Sequence, residues 1–132
     1  MLNPISRYEA KVITILQKAG IAFEKEKRFS DLHYGHYRFD FYLPLYNCCI
    51  EVNGEQHYQF TKRFYRYQQD FWKAQWRDRQ KISYCLARGM DLYCIPFWDI
   101  DKISNIGELL NPIYIAHSKF HNDEAWRRYR KS

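Results

Sequence analysis

The sequence predicts an α/β protein with the element order αβββαβα. Apolar residues recur at helical spacing near the start and again between residues 63 and 88, and four short β-type runs lie around the second of these stretches. Its length points the same way: 132 residues and 16.3 kDa suit one domain with a real core, spanning residues 1–132.

In "NPISRYEAKVITILQKAG", Ile5, Tyr8, Val12, Ile15, Leu16 and Ala19 form a helical stripe that Gly20 ends. Ser6 and Glu9 have the spacing of a capping box. "IAFEKEKRF" sets Phe23 and Phe29 against charge, "HYRFDFYLP" carries Phe39, Phe41 and Leu43, and "NCCIEVNG" is a short apolar run closed by Asn-Gly. These are three consecutive strands, the second and third joined through Pro44 to Asn47 as an antiparallel hairpin. From Arg63 to Arg88 the chain has no Gly or Pro, and Phe71, Ile82, Cys85 and Leu86 recur as on the buried side of a long helix. "DLYCIPF" is the fourth strand, "DIDKISNIGELL" a short helix, and residues 121–132 a polar, basic tail.

Twenty-one Lys and Arg against fifteen Asp and Glu give a charge of +6, which suits a polyanionic partner. Twelve Tyr and four Trp add side chains that can stack on bases. No stretch approaches the roughly 20 apolar residues of a membrane span, and the first residues lack the charged-then-apolar order of a leader, so a soluble cytoplasmic protein with no membrane partner is expected. Cys48, Cys49, Cys85 and Cys94 contain no CxxC pair and read as free, buried thiols.

The hairpin carries the chemistry. With a period of two, Asp40 shares a face with Arg38 and Tyr42, and Phe39, Phe41 and Leu43 share the other. Glu51 lies with Cys49 and Asn53, opposite Ile50 and Val52, so pairing Asp40 with Glu51 brings two carboxylates together. Such a pair repels unless a divalent cation such as Mg²⁺ lies between. The plain alternative is that both are exposed charges, or pair with Arg28 and Arg38. The tail Asn53-Gly54-Glu55-Gln56-His57-Tyr58, in combination with the two acids, shifts the balance toward a site.

A helix with Glu9, then "FDFYLP", "IEVNGEQHY", a long helix containing "RDRQKISYC" and a strand "LYCIPF" resembles the PD-(D/E)xK nuclease superfamily, and within it the very-short-patch-repair-like endonucleases of bacteria, phages and homing-endonuclease domains. The similarity covers about Ser6 to Leu110. It implies a restriction-endonuclease-like mixed sheet of about four strands flanked by helices, and Mg²⁺-dependent DNA cleavage with Mn²⁺ able to substitute. By that resemblance Asp40 and Glu51 are the metal-holding acids and the carbonyl of Val52 a third ligand. Asn53 stands where the superfamily has lysine, and His57 is its expected replacement. Glu9 and Gln56 complete the expected catalytic set, Glu9 also serving as a cap. Asp78, on the inward side of the long helix, is expected to pair with Lys81 or a backbone group in a structural role, and His33, His36, His117 and His121 to lie on the surface.

Lys62, Arg63, Lys73, Arg77 and Lys81, interleaved with aromatics directly after His57, are read with Arg38 as the DNA-binding surface. Lys73, Arg77 and Lys81 are spaced to share one helix face. The function expected is metal-dependent DNA endonuclease, including nicking. The alternatives are a catalytically silent DNA-binding module of the same fold, or an interaction domain in a homodimer or larger nuclease or recombination assembly.

Overall fold

A computed structural model describes residues 6–118 and 121–131 of the chain. Ser6 caps helix α1 (Arg7–Lys18): its hydroxyl accepts from the Glu9 N–H at 3.1 Å, and Glu9 returns the capping-box bond to the Ser6 N–H. Val12, Ile15 and Leu16 form its buried stripe, Ala19 is exposed, and Ile5 lies outside the described residues. Strands β1 (Glu24–Arg28), β2 (Arg38–Leu43), β3 (Cys48–Asn53) and β4 (Asp91–Pro96) form one sheet in the order β1-β2-β3-β4. The first two pairings are antiparallel and β3 pairs β4 in parallel, the long helix α2 (Gln68–Ala87) making the crossover. The architecture is therefore mixed α/β, with a four-stranded mixed sheet flanked by helices.

Alternation along β3 and β4 assigns the two faces. Cys48, Ile50, Val52, Tyr93 and Ile95 join α1 in one core, while Cys49, Leu92 and Cys94 join Ile82 and Cys85 of α2 in the other. Charges on the edge strand β1, Glu24 to Arg28, protect it from pairing with another chain. Leu86 is exposed, so α2 buries Phe71, Ile82, Tyr84 and Cys85 instead of the full expected stripe. All four cysteines are free and buried.

Four elements depart from the sequence pattern, the first being the long helix, which is expected from Arg63 but begins at Gln68 after a run of turns. Phe39 does not share a face with Phe41 and Leu43: it packs on the α2 side, against the Phe29 and Tyr84 rings, while Phe41 and Leu43 pack on the α1 side. The β1–β2 ladder registers Lys25 with Phe41 and Lys27 with Phe39, and between these pairs Glu26 is left-handed at φ 53°. This local break in the extended conformation, opposite Asp40, interrupts the alternation that periodicity assumes. The expected short helix splits into a turn at Ile100–Lys102 and α3 (Ile106–Leu109), because Asn105 accepts from the Glu108 N–H and caps a new start. The basic tail is helical over α4 (His121–Lys131), and Trp126 stacks on Tyr58 with ring centres 5.6 Å apart.

Candidate functional site

The sheet is open at the end where β3 finishes and β2 begins. Glu9, Asp40, Glu51, Val52, Gln56 and His57, every residue expected in catalysis or metal binding, line one cleft of about 920 Å³ there. Asp40 is held by the backbone: the last registered pair of the hairpin is Phe41 with Ile50, and beyond it Oδ2 of Asp40 accepts from the Val52 N–H at 2.8 Å. The Asn53 carbonyl accepts from the Phe97 N–H at 2.8 Å on the β4 side, so alternation turns the Val52 carbonyl the other way, toward Asp40.

Glu51 is buried on the α2 side and its Oε1 makes an ion pair with the ammonium of Lys81. The ammonium hydrogen-bonds the carboxylate as well as pairing with its charge, so Glu51 is compensated from within. Lys81 is itself only 8% exposed and its Nζ lies 5.1 Å from the centre of the Phe39 ring. The change of face at Phe39 thus supplies an aromatic wall for the cation. Lys81 consequently does not share an outward phosphate-binding face with Lys73 and Arg77: Glu51, Asp78 and Asp40 draw it inward. Asn53 is buried and its side chain bonds the Tyr58 hydroxyl.

His57 ends a single helical turn, Glu55–His57, that follows β3. Its Nδ1 lies 2.8 Å from Oδ2 of Asp78. The partner expected for Asp78 is Lys81 or a backbone group; the structure gives it His57 and places it on the cleft wall. Gln56 reaches into the same space, and a Cβ on Gly54 would stand 2.5 Å from its Oε1, so glycine is what leaves room for that carboxamide. Arg38, Arg63 and Arg77 also line the cleft, whereas Lys62 and Lys73 are exposed but do not. His33 and His36 are exposed as expected, yet they form part of the cleft wall, with His33 stacked on Tyr37 at 4.5 Å. His117 is also exposed, and the side chain of His121 lies outside the described residues.

Crowding of the acids sets the electrostatics. Burial, reinforced by Glu51, pushes Asp40 up to about 8. Burial raises Glu51 as well, against the pull of Lys81. Glu9 is raised by burial and then by Asp40. Burial alone would lower Lys81, but Glu51, Asp78 and Asp40 outweigh it and hold the ammonium above its ordinary range. The cleft therefore crowds its acids around one buried cation.

Among the described residues no three His, Cys, Asp or Glu side chains form a ready-made metal cluster. Two carboxylates and a backbone carbonyl nevertheless fit Mg²⁺ or Mn²⁺, which take hard oxygens and keep several water ligands. The crowding of Asp40 against Glu51, which raises Asp40, is what an added cation would relieve.

Sequence reasoning gives Asp78 a structural role and Lys81 an outer DNA-binding one, and places neither among the catalytic acids. The available signal is their separation of three residues on the side of α2 that carries Ile82 and Cys85, where charges need partners.

Over 71 residues the chain is 34% identical to uncharacterized protein 033L of Invertebrate iridescent virus 3, covering 54% of this chain and 36% of that protein. Over 79 residues it is 30% identical to uncharacterized protein 307L of Invertebrate iridescent virus 6, covering 60% of this chain and 40% of that protein. The chain thus spans about two fifths of the length of these curated relatives. No family model matches it, and no solved structure does. Among the described residues no helix is long and apolar enough to cross a membrane.

Proposed function

We propose that this protein is a metal-dependent DNA endonuclease with a restriction-endonuclease-like fold, related to the very-short-patch-repair branch of the PD-(D/E)xK superfamily. One observation carries the reading: residues distant in sequence, Glu9, Asp40, Glu51, His57, Asp78 and Lys81, meet in one cleft bordered by Arg38, Arg63 and Arg77. A structural ion pair needs one acid and one base; here Glu9, Asp40, Glu51 and Asp78 gather around the buried Lys81 and His57.

Asp40, Glu51 and the Val52 carbonyl are the residues that would hold Mg²⁺ or Mn²⁺. The cation would supply fixed positive charge beside a phosphodiester and make water more acidic. With Nδ1–H donated to Asp78, His57 keeps Nε2 free to take a proton from water attacking phosphorus or, once protonated, to give one to the departing oxygen. Asp78 fixes that tautomer and the ring's orientation. Lys81 places an ammonium where negative charge grows on the phosphoryl oxygens, and Arg38, Arg63 and Arg77 steer the DNA backbone into the cleft.

The deciding experiment is incubation of the protein with supercoiled plasmid in Mg²⁺, Mn²⁺ or EDTA. Cleavage or nicking with either metal and none in EDTA is expected, and Asp40→Ala or Glu51→Ala should abolish it while DNA binding persists. Plasmid left intact under all conditions, or cut equally by both variants, rejects the reading. The Lys81–Glu51 pair favours a second reading, a silent DNA-binding module, because an internal ammonium already compensates the acid that a metal would need. Binding without cleavage in either metal would support it.

A further inference from the structure

Between Arg63 and Arg77 a cation stands next to an aromatic residue four times: Arg63 with Phe64, Arg66 with Tyr67, Lys73 with Trp72, and Arg77 with Trp76. Phe64, Tyr67, Trp72 and Trp76 are 42%, 53%, 59% and 59% exposed as residues. Helical spacing turns Trp72 and Trp76 together, one turn apart, away from the buried side of α2 with Ile82 and Cys85. They do nothing for the core. Large aromatics concentrated on one exposed segment mark a surface meant to be covered.

We infer that this face binds unpaired nucleotide bases, so that the preferred substrate of the proposed endonuclease carries a single-stranded arm beside the duplex; the inference rests on that reading for its biological meaning, but not for its physics. Among the described ion pairs none neutralises Arg63, Arg66, Lys73 or Arg77. The occupant is therefore anionic, and it must offer flat apolar faces to the rings. A second copy of the chain would bring these same cations against each other, and a duplex hides its base faces within the stack. A single strand offers both phosphates and faces. Guanidinium groups already sit 5.3 Å from the centres of the Phe64 and Tyr67 rings, the geometry in which a ring retains a second side for a base. Continuity with the site completes the argument: Arg63, Phe64 and Arg77 line the cleft, so a strand leaving it runs onto the aromatic face.

The test is fluorescence anisotropy in EDTA of 5′-dye-labelled oligothymidylate and of a labelled duplex hairpin of equal length, with tryptophan quenching read on the wild type. Oligothymidylate should quench the wild type and bind more tightly per nucleotide than the hairpin. Trp72→Leu combined with Trp76→Leu should weaken oligothymidylate binding by about tenfold or more, given typical stacking contributions, and leave the hairpin nearly unchanged. Trp72→Phe with Trp76→Phe should retain most of the single-strand affinity, and circular dichroism should match the wild type for both. Absence of quenching, equal weakening on both probes, or a wild-type dimer that the leucine variant converts to monomers would overturn the inference. Plasmid cleavage in Mg²⁺ separates it from the activity. Cleavage without any single-strand preference sinks the inference and leaves the endonuclease standing. Single-strand binding lost in the leucine variant, with no cleavage by the wild type, sinks the endonuclease and leaves the binding surface.

Discussion

Nδ1 of His57 lies 2.8 Å from Oδ2 of Asp78, tying the turn after β3 to the middle of α2. Neither group is fully exposed, with side chains 23% and 15% accessible, so the contact is sheltered from competing water. If His57 moves a proton, His57→Ala should slow cleavage by roughly 10² to 10⁴ at saturating metal. Asp78→Asn should also lower the rate, by up to about 10⁴, and leave Mg²⁺ affinity unchanged, because an amide can still meet Nδ1 but no longer fixes the productive tautomer. Single-turnover cleavage beside Mg²⁺ titration checks both. A fall in metal affinity in His57→Ala would make the histidine a ligand instead.

The Lys81–Glu51 pair makes a stability prediction that does not depend on cleavage. Removing one partner of a buried pair leaves the other charged without compensation, so Lys81→Met should destabilise the fold by about 3–5 kcal/mol at neutral pH. Adding Glu51→Gln should recover most of that loss, since the burial cost belongs to the orphaned carboxylate. Urea denaturation reads both. Mg²⁺ should raise the midpoint of Lys81→Met more than that of the wild type; equal shifts would mean that no cation approaches Glu51.

Asp40 predicts the direction of pH dependence. Its folded value near 8 exceeds the ordinary aspartate value of 3.8 that the unfolded chain presents. The folded form therefore binds a proton that the unfolded form releases, so the contribution to stability is complete below 3.8 and is lost progressively as pH rises to about 8. Asp40→Asn should accordingly melt higher than the wild type at pH 8 and close to it at pH 4. Divalent cation should reverse the loss in the wild type alone. Calorimetric metal titrations in buffers of different ionisation heat should also show proton release on binding near neutral pH. Melting curves of wild type and variant that stay parallel across the range would remove Asp40 from the charge cluster.

What the sequence discloses follows from where each interaction is local. The hairpin acids, the capping box of Ser6 and Glu9, and the antiparallel pairing of β2 with β3 are legible because their partners lie within a few residues or on the adjoining strand. Asp78 and Lys81 stand in a run of charges that resembles a solvated helix surface, and their roles depend on His57 and Glu51, more than twenty residues away. Phe39 lies on the face opposite to the one periodicity assigns it, because nothing in the residue pattern announces the left-handed Glu26 across from Asp40. Helix α4 reads as a tail in the sequence although Trp126 and Tyr129 are three residues apart; the rings they pack on, Tyr58 and Trp98, belong to distant turns.

The outer charges of α2 give the remaining prediction. With Lys81 withdrawn into the cleft, Lys73 and Arg77 are the pair left one turn apart on the accessible side. Lys73→Gln with Arg77→Gln should weaken binding similarly on unrelated duplex sequences. The log-affinity against log-salt slope should become shallower by about 0.9 for each phosphate no longer neutralised, roughly 1.8 for the pair. The fold should be untouched, because both side chains are exposed and neither belongs to a described ion pair. Adding Lys81→Met should not flatten the slope further, since a buried ammonium bound to Glu51 releases no phosphate counterions; its effect belongs to stability and rate. A slope unchanged by the double substitution would move the duplex path to the basic face of α4, where Arg127, Arg128, Arg130 and Lys131 are exposed.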